Sequence, residues 1–261
     1  MKNLIKAQLY QIAHTRVYYL VLITFILLAV MFGAIDYLNG ADALEEGQLL
    51  SASDLATRMD VVTILSVMGM ALFSSFICAD DHYDKTANYE ILSGGMRKQS
   101  FFARAFVSIV ICIVFSISLE CVSLITATLL TGWGDSVPVS AVVSRILLTA
   151  FPYFRLACLF VMLSYFIKRP GITFLAVYGL IQGFSMIPSN DRTGVLFSVT
   201  TLGNIMHYDE WHVFGLECDA QFIYQTQLDG GFAARCIIVS LLMGIAYLAI
   251  GYSYFHKDDL E

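Results

Sequence analysis

Charged residues are scarce in this sequence. Asp, Glu, Lys and Arg make up 14% of its 261 residues, whereas an ordinary soluble domain has about a quarter. Hydrophobic residues make up 58%, and they are concentrated in blocks of about 20, the length of a helix that crosses a bilayer. The composition excludes an ordinary soluble domain and predicts a membrane protein. We expect no nucleic-acid partner.

Motifs for nucleotide binding and catalysis are also missing. No glycine is followed by lysine, which excludes the phosphate loop Gly-x-x-x-x-Gly-Lys-Ser/Thr. The sequence has no His-Glu-x-x-His pattern and no Gly-x-Ser-x-Gly elbow. Its six cysteines form neither a Cys-x-x-Cys pair nor a cluster with histidine, so we expect no metal site. We therefore predict that the chain is not an enzyme and binds no cofactor directly.

The apolar blocks predict six membrane-spanning helices in a single domain covering residues 1–261. Helices are expected because open strands would leave backbone groups without hydrogen bonds in lipid. Each block is flanked by charged residues, glycine or proline. The sequence Lys168-Arg169-Pro170-Gly171 predicts a tight reversal of the chain before the fifth block. The predicted spans are residues 17–38, 61–79, 105–130, 146–167, 171–187 and 236–255.

Two segments outside the spans have helical patterns of their own. Apolar residues recur at helical spacing in the first 14 residues, with polar residues between them, which predicts an amphipathic helix in the headgroup region. An extension of the first span is the alternative interpretation. Residues 188–235 contain several apolar clusters. A connection of this length and composition predicts short helices on the outer membrane face before the last span.

Lys and Arg predict the orientation of the chain, because cytoplasmic loops carry an excess of them. With the N-terminus inside, the cytoplasmic segments hold about ten of these residues and the outer segments about four. The outer loops are acidic instead. We therefore expect both termini in the cytoplasm and a multi-pass protein of the bacterial cytoplasmic (inner) membrane. With this orientation, Cys218 and Cys236 lie on the outer side of the membrane. Both a disulfide between them and two free thiols are compatible with the sequence.

The predicted cytoplasmic segment after the second span is the most informative part of the sequence. It contains a helical turn, Thr86 to Leu92, ended by Gly94-Gly95 and followed by Arg97, Lys98 and Arg104. One interpretation is a helix that offers its side chains to a soluble partner. The other is a solvated connector between two spans.

The run Asp84-Lys85-Thr86-Ala87-Asn88-Tyr89-Glu90-Ile91-Leu92-Ser93-Gly94-Gly95-Met96-Arg97 resembles the corresponding loop of ABC-2 type transporter permeases. The layout of the whole chain is similar to that family as well. Lys85 departs from the family pattern, in which glycine commonly precedes the threonine.

The resemblance implies the membrane subunit of an ATP-driven exporter. The chain would form a homodimer, or a heterodimer with a similar permease, and recruit two copies of a separate ATPase that uses ATP and Mg. Residues 84–97 would be the coupling helix, with five contacts to the ATPase: Thr86, Asn88, Tyr89, Glu90 and Arg97. Among the family's substrates we favour a peptide, such as an antimicrobial peptide, or another amphiphile, because the spans carry almost no fixed charge.

Glu120 and Arg155 are charged residues expected deep inside the spans. A lone charge at the bilayer centre costs roughly 2.5–3.5 kcal/mol on insertion scales, so such groups usually face protein or water. Counted from the cytoplasmic ends of their spans, the two residues lie at similar depths. They are predicted to pair and fix the helix register. The alternatives are a place along a translocation route or dimer seam and, for Glu120, an interfacial position.

A different class of function stays open beside the exporter. A non-transporting sensor or immunity protein would bind a peptide through the acidic outer loops. An enzyme embedded in the membrane is disfavoured, because Glu120 and Arg155 are the only candidate polar groups within the predicted spans. A neighbouring gene with a phosphate-loop motif would favour the exporter.

Overall fold

The computed structural model describes residues 2–42, 51–55, 60–79, 96–135, 137–185 and 230–257. Every regular element within these ranges is a helix, as the apolar blocks predict. The helices are α1 (Lys2–His14), α2 (Arg16–Asp42), α3 (Ala52–Leu55), α4 (Asp60–Ser74) with a π-helical turn at Ser75–Ala79, α5 (Arg97–Thr131), α6 (Val139–Ile167), α7 (Pro170–Ser185) and α8 (Gly230–Lys257).

Four of these helices are long and apolar enough to cross a membrane. They are Arg16–Ala34 in α2, Arg97–Thr131, Val139–Ile167 and Ala233–Lys257 in α8. Two shorter apolar helices, Ile64–Ala79 and Pro170–Leu180, fall where the second and fifth spans are predicted. The structure thus has the architecture of a helical membrane protein, and the count of six spans stays a prediction.

Helices α5 and α6 form the centre of the bundle. Helix α5 contacts α1, α2, α3, α4, α6 and α8, and α6 contacts α4, α5, α7 and α8. Half of the most apolar stretch of α5 and 72% of that of α6 are buried, whereas only 17% is buried in α2 and in α8. A helix whose apolar surface is mostly outward needs an apolar solvent. The outward apolar surfaces of α2 and α8 are therefore compatible with contact to lipid.

Side-chain contacts show the direction of each helix relative to α5. Glu120 contacts Tyr153 and Phe101 contacts Tyr165, so α6 runs antiparallel to α5. The chain just before α4 lies at the end of α5, where the Ser53 N–H donates to the Trp133 carbonyl at 2.8 Å. Helix α4 then reaches the middle of α5 and is also antiparallel to it. The three helices α4, α5 and α6 therefore alternate in direction, as successive spans must.

The remaining two long helices follow the same alternation. Phe25 of α2 packs edge-on against Phe115, and Gly33 lies beside the Ser123 carbonyl, so α2 runs parallel to α5. Helix α8 runs parallel to α6, because Cys236 packs with Leu148 near one end and Phe255 with Tyr165 near the other. The start of α2 and the end of α8 therefore lie at the same end of the bundle.

Basic residues gather at that end, which we call the basic end. It is formed by the starts of α2 and α5, the turn between α6 and α7, and the end of α8. None of the acidic residues that the structure describes lies there, and the basic side chains are Arg16, Arg97, Lys98, Arg104, Lys168, Arg169 and Lys257. At the opposite end, Gly132 terminates α5 with a φ of 76°.

Helix α1 is a separate element rather than a continuation of α2, because the helical conformation is interrupted at Thr15. None of its residues is buried. Ile12 packs against the core, and the Tyr19 hydroxyl donates to the Ala13 carbonyl at 2.9 Å. This arrangement fits the predicted headgroup helix better than an extension of the first span. Its position in a membrane stays a prediction.

The tight reversal predicted at residues 168–171 is confirmed. Lys168 ends α6 in the left-handed conformation, with a φ of 57°, and its N–H donates to the Ser164 carbonyl at 3.0 Å. Pro170 then begins α7. The short outer helices predicted within residues 188–235 lie almost entirely outside the described residues, so they stay a prediction.

Candidate functional site

Four of the five predicted ATPase contacts, Thr86, Asn88, Tyr89 and Glu90, lie outside the described residues. The fifth, Arg97, is the first residue of α5. Its Nη1 donates a hydrogen bond of 3.1 Å to the His256 carbonyl. Arg97 therefore joins the start of α5 to the end of α8 at the basic end.

An aromatic cluster lies directly beneath this connection. Its rings come from α5, α6 and α8, and it brings together Phe101, Phe102, Tyr165, Tyr252 and Phe255. The ring centroids of Phe101 and Tyr165 are 4.7 Å apart, and those of Tyr165 and Phe255 are 5.2 Å apart. Aromatic pairs at these distances stabilise a packing beyond their buried area. The cluster packs the ends of the three helices against one another.

A π-helical turn at Ser75–Ala79 continues α4 at the basic end. Its side chains are largely buried, and the turn packs against α6 and α7. The Oγ atoms of Ser74 and Ser164 are 3.4 Å apart, which ties α4 to α6 just before the turn. Single π-helical turns occur frequently at functional sites. This one immediately precedes residue 80, where the predicted cytoplasmic segment begins.

Glu120 lies on α5 and is completely buried. Its Oε1 accepts a short hydrogen bond from the Tyr153 hydroxyl of α6. Its Oε2 has no hydrogen-bond partner among the residues that the structure describes. The interfacial position proposed for Glu120 is therefore disfavoured, because a carboxylate there would reach water.

Arg155 is also buried, with 4% of its surface exposed. Its electrostatic neighbours include Cys236 and Tyr247 on α8. Residues two apart on a helix point about 200° apart, so Tyr153 faces Glu120 while Arg155 faces α8. Similar depth was therefore insufficient to predict a contact. The pairing of Glu120 with Arg155 stays a prediction, and the geometry favours Tyr153 as the partner of Glu120.

Sequence reasoning missed a row of buried polar residues along α5. Its members recur about every four residues and are all at most 3% exposed: Ser100, Arg104, Ser108, Cys112, Ser116, Glu120 and Ser123. From Ser100 to Ser123 the row is about 35 Å long at 1.5 Å per residue, which matches the roughly 30 Å of a bilayer core. The four-residue spacing of the serines was the available signal. We call this feature the polar row.

The polar row faces α4 as well as α6. The Cys112 thiol donates to the Met70 carbonyl of α4 at 3.5 Å. Because the two helices are antiparallel, one turn along places Ser66 of α4 at the level of Ser116. The hydroxyls of Ser66, Ser108, Ser116 and Ser123 have no hydrogen-bond partner within the described ranges. Together with Oε2 of Glu120, they are five buried oxygen atoms on α4 and α5 whose hydrogen bonding is incomplete.

The described residues offer no cysteine or histidine site for a metal. No group of three or more His, Cys, Asp or Glu side chains in the described part of the chain is arranged to hold an ion. Cys236 is buried on α8 and Cys218 lies outside the described residues. The disulfide between them stays open.

No protein-family model matches the chain, and a comparison with curated proteins finds no match.

Proposed function

We propose that the chain is the membrane-spanning permease subunit of an ATP-driven exporter for a peptide or another amphiphilic substrate. The observation that carries the proposal is the placement of the α4–α5 connection. The π-helical turn that continues α4 ends at Ala79 and α5 begins at Arg97, both at the basic end, so the connection between them starts and finishes there. That end is the cytoplasmic one if the excess of Lys and Arg decides the orientation.

Force applied to this connection would reach the bundle by two routes. One passes through the π-helical turn into α6 and α7, which it contacts. The other passes through Arg97, which holds the end of α8 by its hydrogen bond to His256. The aromatic cluster then links α5, α6 and α8 as one packed unit. In this way, a change in the shape of the proposed ATPase would be converted into a shift between two packings of the helices.

Energy must come from another chain, since this sequence has no phosphate loop. We propose two copies of an ATPase subunit using ATP and Mg, a permease dimer, and a bacterial inner-membrane location. Residues Thr86, Asn88, Tyr89, Glu90 and Arg97 are the proposed contacts. The acidic outer loops support the rival proposal, a sensor or immunity protein that binds a peptide without transporting it.

Co-purification from mild detergent tests the proposal. We expect an ATPase to copurify with the wild-type chain and the variant Glu90→Lys/Arg97→Glu to weaken its binding at least about tenfold, since like charges across an interface cost several kcal/mol. Arg169→Glu is the matched control, because it reverses an exposed charge in a different connection at the same end. Thermal unfolding of each variant checks that the bundle remains folded.

Two results would contradict the proposal. One is a purified wild-type chain that moves peptide across vesicles without any ATPase. The other is unchanged ATPase binding and transport in the folded Glu90→Lys/Arg97→Glu variant. Peptide binding by a chain that recruits no ATPase would favour the sensor.

A further inference from the structure

We propose that Glu120 is a proton-binding site inside the bundle and that its carboxyl group is uncharged in the folded chain. The inference does not depend on the exporter proposal. The structure describes two acidic side chains, and their environments differ: Asp135 is exposed, whereas Glu120 is completely buried. An ionised carboxyl group is expensive to bury unless it is paired and hydrogen-bonded. The groups that contact Glu120 therefore decide its charge.

The carboxyl group of Glu120 receives little hydrogen bonding. Its Oε1 accepts one hydrogen bond, from the Tyr153 hydroxyl, and its Oε2 meets no donor among the described residues. Cys121, the next residue on α5, is a titratable neighbour of the carboxyl group and carries no positive charge. Carboxylates that stay ionised inside proteins commonly accept two or three hydrogen bonds or contact a cation. A single neutral donor is less than an ionised Glu120 requires.

The buried arginines of α6 are directed elsewhere or lie at another level. Arg155 has Cys236 and Tyr247 of α8 among its electrostatic neighbours. Arg145 lies about 12 Å along α6 from the level at which that helix contacts Glu120. In the described part of the chain, neither arginine reaches Oε2 of the carboxyl group.

The other helices packed on α5 bring no cation to the level of Glu120. The titratable residues of α2, α3 and α4 nearest to it along these helices are acidic, namely Asp36, Asp54 and Asp60, and like charges disfavour ionisation. The basic residues of α1 precede α2 at the basic end. Arg104, on α5 itself, is about 24 Å away along the helix axis. No described element therefore supplies the charge that an ionised Glu120 would need.

A proton on Oε2 removes this difficulty. The carboxyl group then has no charge to stabilise, and Oε1 still accepts the hydrogen bond from Tyr153. An ordinary glutamate in water is ionised above about pH 4.3. The observed packing of α5 on α6 therefore holds one proton, and any packing that brought Glu120 to water at neutral pH would release it.

Infrared spectroscopy of the purified chain in detergent detects the bound proton. A protonated carboxyl group has a carbonyl stretching band that is separate from the bands of carboxylates. At about pH 7, where exposed carboxyl groups are ionised, we expect this acid band in the wild-type chain and its loss in Glu120→Gln. Asp135→Asn is the matched control, because it removes an exposed carboxyl group and should leave the acid band unchanged.

The pH dependence of unfolding gives a second readout. Between about pH 5 and pH 7 the folded chain keeps the proton of Glu120 and the unfolded chain has lost it. The folded chain then holds one more proton, so its stability falls as the pH rises. The equilibrium constant for denaturant unfolding in detergent should rise about tenfold more per pH unit in the wild type than in Glu120→Gln. Glu120→Gln should fold, because glutamine is neutral and has nearly the shape of protonated glutamate.

Tyr153→Phe tests the proposal even if Glu120→Gln does not fold. The Tyr153 hydroxyl donates to Oε1, and a donor to a carboxylate favours the ionised form. Its removal should therefore preserve the acid band to a higher pH than in the wild type. An acid band that disappears at the same or a lower pH in Tyr153→Phe would contradict proton binding at Glu120.

Three further outcomes would overturn the proposal. The first is an acid band at about pH 7 that is the same in the wild type and in folded Glu120→Gln. The second is an equal pH dependence of unfolding in these two chains. The third is a Glu120→Gln chain that does not fold although Glu120→Gln/Arg155→Gln does, which would assign Glu120 to an ion pair with Arg155.

Discussion

At the scale of single residues, the packing of α4 on α5 depends on Gly69. A Cβ atom at this position would lie 2.1 Å from Cε1 and 2.4 Å from Cζ of Phe115. The Phe115 ring cannot simply turn away, because it packs against Phe25 and Phe73 with centroid distances of 5.6 Å and 4.9 Å. Glycine is required here because the two helices approach so closely.

Gly69→Ala should therefore destabilise the folded chain by about 1–3 kcal/mol, the usual cost of overpacking a filled core. Gly179→Ala is the matched control, since a Cβ there meets no atom within 4 Å. The control should change stability by no more than about 1 kcal/mol, and in the stabilising direction, because alanine favours helix. Thermal or denaturant unfolding in detergent measures both, and equal effects would contradict the close contact described for Gly69.

The individual residues of the site also differ in how far the sequence could predict them. Glu120 was singled out from the sequence because a charge inside an apolar block is costly in lipid, and the structure buries it. Its partner was not found, since depth along a span says nothing about the direction of a side chain. Tyr153 and Arg155 differ by two residues and face different helices. The polar row was missed because serine is common in membrane helices and its burial depends on the packing of three helices.

At the scale of elements, the turn between α6 and α7 stores backbone strain. Lys168 has a φ of 57°, a conformation that costs most for β-branched residues. Its Nζ lies 6.0 Å from the centroid of the Tyr254 ring, so the side chain also contacts α8. Arg169 precedes a proline, which favours extended backbone.

Lys168→Val should consequently lower the free energy of unfolding by about 1–2 kcal/mol, the cost of forcing such a residue into the left-handed region. Arg169→Val removes the same charge one residue later, where extended backbone suits valine, and should have a much smaller effect. The two variants are compared by thermal unfolding. A larger loss in Arg169→Val would contradict the assignment of strain to Lys168.

The positions of the long apolar helices were accessible from the sequence, but α5 and α6 begin eight and seven residues before the predicted spans. Apolar blocks and their charged flanks locate α2, α5, α6 and α8, because length and hydropathy decide whether a helix can span. The π-helical turn at Ser75–Ala79 could not be predicted, because it depends on how α4 packs against α6 and α7. The same is true of the separation of α1 from α2 at Thr15, which hydropathy does not mark.

At the scale of the whole molecule, the alternation of helices assigns the exposed connections to two ends. Arg169, between α6 and α7, lies at the basic end, and Asp135, between α5 and α6, lies at the opposite one. Both side chains are exposed. The excess of Lys and Arg predicts that the basic end faces the cytoplasm.

Labelling of introduced cysteines in intact cells tests this orientation. A membrane-impermeant maleimide should react with Asp135→Cys in intact cells. It should react with Arg169→Cys only after the membrane has been permeabilised. The wild-type chain, four of whose five described cysteines are buried, gives the background. Labelling of Arg169→Cys in intact cells would reverse the orientation, and with it the proposed position of the ATPase.

The two-residue connection between α6 and α7 has a consequence for how the protein is made. Helix α7 has 16 residues, or about 24 Å of helix, less than the roughly 30 Å thickness of a bilayer core. Residues Lys168 and Arg169 alone separate it from α6, which has 29 residues. A link so short gives the translocation machinery no point at which to release α6 alone. If α7 is the fifth span, we expect the two helices to enter the membrane together as one hairpin, with the longer helix carrying the shorter one in.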